Sequence, residues 1–318
     1  MTCGGFREAD SAEDEEHAGM IVIKGLTKRY GTTMALADLD LEVRQGEVFG
    51  LLGPNGSGKT TTIRLLLGLL RPTSGRAAVA GHDCWSQSLA VRKMVSYLPG
   101  ELRMFGAMSG LGMLRFLSDL RDGQGLDRAV AIAERVMKLN LRRKVRTYST
   151  GMKQKLALAQ AFADPVDVLI LDEPTSALDP SVRGDVLGLV ADARARGQTV
   201  IFSGHVLSEV EQVADRVAIM RRGRLMHIED MHARRNLRML LLRFADGVPR
   251  AVPGELELTV KTRDGSTLLL EHRGEVGPLL DWLGTQEIAD IAIGTEDLRT
   301  LYDQYHGPNA PDDEGPPQ

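Results

Sequence analysis

The chain has 318 residues, 43% of them hydrophobic, enough for one large core and a smaller second one. A formal net charge of −4 excludes a whole-protein attraction to nucleic acid. Cys3 and Cys84 form no paired spacing, which fits a reducing compartment and argues against a structural metal site. No apolar run reaches the ~20 residues of a membrane span and no signal peptide is evident, so any membrane role is expected to run through a partner.

Residues 1–18 are small, polar and acidic, with Glu13, Asp14, Glu15 and Glu16 in a row, and are expected to form a disordered leader. Residues 20–24 alternate as a strand, and 25–31 are expected to turn out of it. Leu36, Leu39, Leu41 and Val43 then alternate into Gln45 and Gly46. Tyr30, at the strand end, is a candidate stacking platform for a purine base.

The apolar run 48–52 reads as a buried strand. It leads into Gly53, Pro54, Asn55, Gly56, Ser57, Gly58, Lys59, Thr60 and Thr61, followed by an apolar stripe at Ile63, Leu66, Leu67 and Leu70. Strand, glycine-rich loop and helix together are the context of a phosphate-binding P-loop. The glycines let several N–H groups converge on one anion, and the helix N-terminus adds partial positive charge. Lys59 reaches β- and γ-phosphates as a point charge, and the Thr60 hydroxyl is a magnesium ligand candidate.

Pro72 and Gly75 mark a stop and turn, 79–81 a strand end, 89–93 a short helix and 94–98 a strand ending at Pro99, Gly100 and Glu101. Leu111, Leu114, Leu117 and Leu120 make one helical stripe after Ser109; Ile132, Val136 and Leu139 make a second. A mostly helical subdomain is therefore expected over 102–147. Small polar residues at 148–151 open a further helix, whose free N–H groups are a second potential anion site. The continuous apolar run 166–171 reads as a central parallel strand and ends in Asp172 and Glu173. Paired acids there suit one carboxylate for magnesium and one for the attacking water. A helix over 181–196 and a strand over 199–202 follow, leaving His205 on the edge where such sheets bind ligands. Residues 217–225 close the pattern as a hairpin.

GPNGSGKTT, YSTGMKQKLALA, LILDEPTSALD and SGH, in this order and spacing, resemble the ATP-binding subunit of an ATP-binding-cassette (ABC) transporter over about 21–228. The fold so implied is α/β: a P-loop NTPase cassette with a mixed-sheet core and inserted helical subdomain. The resemblance implies that Gly53–Thr61 and Lys59 hold the phosphates and that Thr60 and Asp172 organise Mg2+. It assigns Glu173 to the lytic water, His205 to the γ-phosphate, Tyr30 to adenine and Asp179 to the adjoining D-loop. Ser149, Thr150, Gly151 and Met152 fall in the signature segment, which in this family faces the nucleotide of a second copy. Two cassettes then close head to tail over two ATP molecules and move a membrane permease on a separate chain. Such a subunit sits peripherally on the cytoplasmic face of the plasma membrane.

Two departures stand out. Thr150 and Met152 replace the usual glycine and glutamine of the signature, and Gly100 stands where the family places a magnesium-sensing glutamine. Glu101 is the candidate to take over part of that task. The wording YLPGE resembles the drug- and antibiotic-export branch. Beyond residue 234 the pattern resets: strands at 239–244, 256–261 and 267–271, a helix near 276–283, a strand at 288–293 and a final helix from Thr295. This second, small α+β domain is expected over 234–306, after a cassette over 19–230. The basic run His232, Arg234 and Arg235 is expected to be a solvated linker, and 307–318 a disordered tail. The competing readings are a soluble cassette ATPase of the translation-factor type, an importer subunit and a P-loop small-molecule kinase. A single cassette with net charge −4 argues against the first, and YSTGMKQK has no place in the last.

Overall fold

The computed structural model describes residues 19–235, 237–245, 252–294 and 298–306, so the acidic leader, the tail and Thr295 lie outside the described residues. The chain divides into two compact units at the junction of Ile228 and Glu229.

The first unit opens with β1 (Ile21–Tyr30) and β2 (Thr33–Val43), then β3 (Val48–Leu52) and α1 (Lys59–Leu66). β4 (Ser74–Val79), β5 (His82–Asp83), α2 (Ser88–Met94) and β6 (Val95–Leu98) follow. The inserted helices are α3 (Gly110–Asp119) and α4 (Leu126–Ala131), the latter running on through a π turn, Ile132–Val136. The order then resumes with α5 (Thr150–Ala161), β7 (Val168–Asp172), α6 (Pro180–Ala195), β8 (Thr199–Gly204), α7 (Leu207–Val213), β9 (Arg216–Arg221) and β10 (Arg224–Asp230).

Two sheets form. One is ordered β2-β1-β4-β5 with antiparallel pairs. The other is ordered β10-β9-β3-β8-β7-β6, with β9, β3, β8, β7 and β6 running parallel. Leu39, Leu41 and Ile23 from the first sheet share one buried cluster with Phe49, Ile170 and Ile201 from the second and with Ile63 and Leu66 of α1. The far face of the parallel sheet is covered too, so every residue of β3, β7 and β8 is buried, which is why these strands read as unbroken apolar runs.

Two sequence expectations change within this unit. Residues 25–30 do not turn away; β1 continues through a bulge at Gly25, whose φ is 57° and whose N–H donates to Asp40 Oδ1 at 2.8 Å. In α3 the buried face is Gly110, Met113, Leu114 and Ser118, while Leu120 of the expected stripe is 69% exposed. A strict three-residue spacing drifts about 60° per step around a 3.6-residue helix, so Leu111, Leu114, Leu117 and Leu120 cannot share one face. Ser109 caps this helix, accepting from Gly112 N at 3.0 Å.

The second unit holds α8 (Met231–Arg235), β11 (Arg238–Phe244), β12 (Leu258–Asp264), β13 (Thr267–His272), α9 (Val276–Gly284), β14 (Ile288–Gly294) and α10 (Leu298–His306). Its sheet is ordered β12-β13-β11-β14, and Leu240, Leu242, Leu268 and Leu270 pack against Leu279 and Leu283 of α9. The basic run is not a solvated linker. It forms α8, with Arg234 only 6% exposed and paired to Glu229 Oε1 at 3.3 Å. A buried guanidinium requires such a partner, and the carboxylate five residues earlier provides it.

Candidate active site

Parallel register brings the site together. Leu52 pairs with Gly204 and Asp172 with Ser203, so the exits of β3, β7 and β8 lie side by side at one edge of the sheet. Gly53, Glu173 and His205 are the next residues out.

The loop after β3 turns on three left-handed glycines, Gly53, Gly56 and Gly58, with φ of 155°, 80° and 108°. A Cβ at Gly53 would run into the Met220 carbonyl and Ser57, so glycine is required there for close approach as well as for φ. Pro54, Asn55 and Gly56 form an exposed lip, whereas Ser57 and Lys59 are buried beneath it. Lys59 Nζ donates to the carbonyls of Gly53 at 2.5 Å and Pro54 at 3.2 Å. Burial pushes the pKa of its ammonium below the ordinary 10.5, while the carboxylates of Glu173 and Asp172 oppose that shift. Ser57 Oγ is buried with no hydrogen-bond partner among the described residues. An oxyanion reaching into the loop would satisfy it.

Asp172 is 3% exposed, and each of its oxygens is engaged. Ser203 Oγ donates to Oδ1 at 2.6 Å, and Thr60 Oγ1 donates to Oδ2 at 3.2 Å. Thr60 lies in the first turn of α1, so one contact ties the phosphate-loop helix to the end of β7. Glu173 adopts φ of 50°, and its N–H donates to both Ser203 Oγ (3.0 Å) and the Ser203 carbonyl (3.2 Å). This left-handed step turns the second carboxylate out of the strand line, leaving it 29% exposed. His205 Nδ1 lies 3.8 Å from Glu173 Oε2 and is itself 59% exposed.

The signature segment begins α5. Ser149 caps the helix, accepting from Met152 N at 3.2 Å, and Thr150 is exposed. Gly151 packs so closely that a Cβ would lie 2.8 Å from the Ala177 carbonyl. Buried Gln154, one turn on, donates to the Pro174 carbonyl at 3.0 Å. The start of α5 therefore rests on the loop carrying Glu173, and Asp179 ends that loop as the N-cap position of α6, with Pro180 at its first turn.

Gly100 lies beside the acids: a Cβ there would sit 3.6 Å from Asp172 Oδ2. Gly100 and Glu101 are both exposed. Tyr30 stands at the end of β1, 47% exposed, with Lys28 Nζ 5.0 Å from its ring centroid. Ser203 and Gln154 carry site contacts that sequence reasoning did not single out. Their only signal was position, one opening SGH and the other inside YSTGMKQK.

A buried lysine in a glycine loop, facing paired strand-end carboxylates, defines a P-loop nucleoside triphosphatase. The profile of the ABC transporter family matches residues 36–176. A daunorubicin resistance ATP-binding protein, DrrA3 of Streptomyces coeruleorubidus, is 40% identical over 64% of this chain and 66% of its own length. The daunorubicin/doxorubicin resistance ATP-binding protein DrrA of Streptomyces peucetius is 36% identical over 80% of each chain. The bacitracin transport ATP-binding protein BcrA of Bacillus licheniformis is 32% identical over 80% of this chain and 86% of its own. Among solved structures, an ATP-binding subunit of an ABC transporter superposes with a TM-score of 0.62 at 27% identity, covering 68% of this chain and 92% of the other. The dimeric cassette MJ0796 shares the fold, with a TM-score of 0.61 at 21% identity over 67% of this chain and 99% of that one. The chain belongs to the ATP-binding subunits of ABC transporters, a family of ATPases. Among the described residues, no helix is long and apolar enough to cross a membrane.

Proposed function

We propose that this chain energises the export of a drug-like or antibiotic-like compound through a permease carried on a separate chain, at the cytoplasmic face of the plasma membrane. The observation that carries the reading is the likeness to DrrA and BcrA, which spans 80% of this chain in both cases. The working assembly is a pair of cassettes closed head to tail over two ATP molecules; MJ0796, a cassette of the same fold, is itself dimeric. The cassette comprises residues 19–230, with 102–147 as the helical subdomain that passes motion to the permease; 234–306 form an accessory domain.

Within each site, Lys59 exchanges the Gly53 and Pro54 carbonyls for the β- and γ-phosphates, and residues 53–61 cradle them with backbone N–H groups. Thr60 and Asp172 fit Mg2+: a hydroxyl and one carboxylate 3.2 Å apart match an ion that takes few protein ligands and fills its shell with phosphate and water. When bound, the ion neutralises charge building up on the phosphate oxygens. Glu173 accepts a proton from the attacking water while the bond between γ-phosphorus and the leaving ADP oxygen breaks. His205, 3.8 Å from Glu173, contacts the γ-phosphate from the neighbouring strand end. Tyr30 stacks on adenine, and Ser149, Thr150, Gly151 and Met152 of one copy face the triphosphate held by the other. Gly100 and Glu101 form the coupling segment beside Asp172, and Asp179 joins the two sites across the dimer.

The test is affinity purification of the tagged full chain from its own host in mild detergent. A polytopic membrane protein without a cassette of its own should accompany it, and loss of the chain should sensitise the host to an exported compound. Recovery of ribosomal components instead would overturn the transporter reading.

A further inference from the structure

The loop from Glu173 to Asp179 has no regular structure and includes two left-handed non-glycine residues, Glu173 at φ 50° and Ala177 at φ 59°. Such a backbone persists only where its surroundings hold it. Part of the hold comes from α5, through Gln154 and the close approach at Gly151. Ser203 holds its first residue, Glu173, and a further part comes from a residue the mechanism above leaves out. Glu209 on α7 is 7% exposed, and both of its oxygens are engaged. Thr175 Oγ1 donates to Oε2 at 2.5 Å, and Arg183 of α6 donates to Oε1 at 3.1 Å. Arg183 Nε also donates to the Leu178 carbonyl at 3.2 Å. One carboxylate thus grips the loop directly at Thr175 and, through Arg183, near its far end at Leu178.

The helix that carries Glu209 is firmly seated. Val210, the next residue, is fully buried, and glycines at positions 50 and 204 make room for it: a Cβ at Gly50 would strike its Cγ1, and one at Gly204 would touch its Cγ2 at 3.5 Å. α7 therefore lies against β3, which leads into the phosphate loop, and β8, which leads to His205. A carboxylate taken out of water needs full compensation, and Glu209 obtains it from the loop and from the helix at the loop's exit.

We propose that Glu209 is a positioning residue for ATP hydrolysis. It ties the helix after His205 to the loop that begins at Glu173, so that the γ-phosphate contact and the water-activating carboxylate are held in one fixed relation. This rests on the roles given above to Glu173 and His205. Glutamine at 209 keeps the shape but cannot accept from Thr175 and Arg183 through two equivalent anionic oxygens.

The experiment measures ATP turnover, ATP affinity and thermal midpoint for the full chain and its variants. Glu209→Gln should lower kcat about tenfold, with KM and ATP affinity held within about twofold, because misplacement acts on the transition state rather than on binding. Glu209→Asp should recover part of the lost rate. Thr175→Val, which removes the hydroxyl at constant size, should lower kcat in the same direction, and Thr175→Val/Glu209→Gln should be no slower than Glu209→Gln alone. Unchanged kcat in folded Glu209→Gln and Thr175→Val would overturn the proposal. So would losses of kcat and affinity that merely track the thermal midpoint. Glu173→Gln serves as the control: if that variant keeps full turnover, the assignment of Glu173 fails, whatever Glu209 does.

Discussion

Thr60 Oγ1 lies 3.2 Å from Asp172 Oδ2, although 112 positions of sequence separate the two residues. One side chain lies in the first turn of the helix after the glycine loop and the other closes β7, so the contact joins the two halves of the candidate nucleotide site. Replacing Asp172 by Asn keeps the shape and removes the charge. Hydrolysis should fall about a hundredfold, since a preorganised charge at such a site carries a large share of the rate. Titration of ATPase activity with Mg2+ checks this, and a variant with an unaltered Mg2+ response would remove Asp172 from the metal shell.

Lys59 is buried and, among the described residues, donates only to loop carbonyls, so its charge is poised for phosphate. Lys59→Ala should weaken ATP binding by about tenfold or more, the scale of a lost charge-assisted hydrogen bond. Equilibrium titration with a fluorescent ATP analogue measures it. Equal affinity in the variant and the unaltered chain would mean that another group holds the phosphates.

Glu173→Gln should bind ATP normally and turn over at least about a hundredfold more slowly, as expected for loss of a general base. ATP-loaded variant should then accumulate as a dimer in size-exclusion chromatography. Retained turnover would require a different base.

Gly100 leaves ordinary contact space against Asp172, with a Cβ position 3.6 Å from Oδ2. Glu101→Ala should reduce permease-stimulated ATPase more than basal ATPase if Glu101 stands in for the missing glutamine. Equal reductions would show that it does not.

His272 is fully buried in the second unit, with Arg238 Nη1 3.5 Å from its Nδ1 and no hydrogen-bond partner on Nε2 among the described residues. Burial holds its pKa below the ordinary 6.5, Arg238 lowers it further, and Glu257 opposes both. Above pH 6.5 neither the folded nor the unfolded chain binds the proton, so stability is flat. As pH falls through 6.5 the unfolded chain takes up the proton first, and stability is lost until the depressed folded pKa is reached. The protection factors of the β11 and β13 amides, with the intrinsic slowing of exchange at low pH divided out, should therefore fall on acidification, and His272→Leu should flatten that dependence.

The central strands were plain in the sequence because a strand covered on both faces has no polar alternation to obscure it, as in Val48–Leu52 and Val168–Asp172. Gly25 misled because a glycine with φ of 57° serves a turn and a bulge equally; its partner, Asp40, lies on the next strand. Arg234 misled because a basic run gives no sign that one of its members is buried against Glu229. In the site, each residue of the phosphate loop and the acid pair announced itself by motif. The parts played by Ser203 and Gln154 did not, since each acts on a loop 20 or more positions away.

The Ser203 hydroxyl has one hydrogen, given to Asp172 Oδ1, while its oxygen receives the Glu173 N–H. That single proton sets a polarity across the two acids. It occupies one flank of the first carboxylate, so the opposite flank, where Thr60 now donates, is the side on which the proposed Mg2+ would be held. An alanine there would free Asp172 to swivel, and the error would spread to its neighbour through the same lost atom.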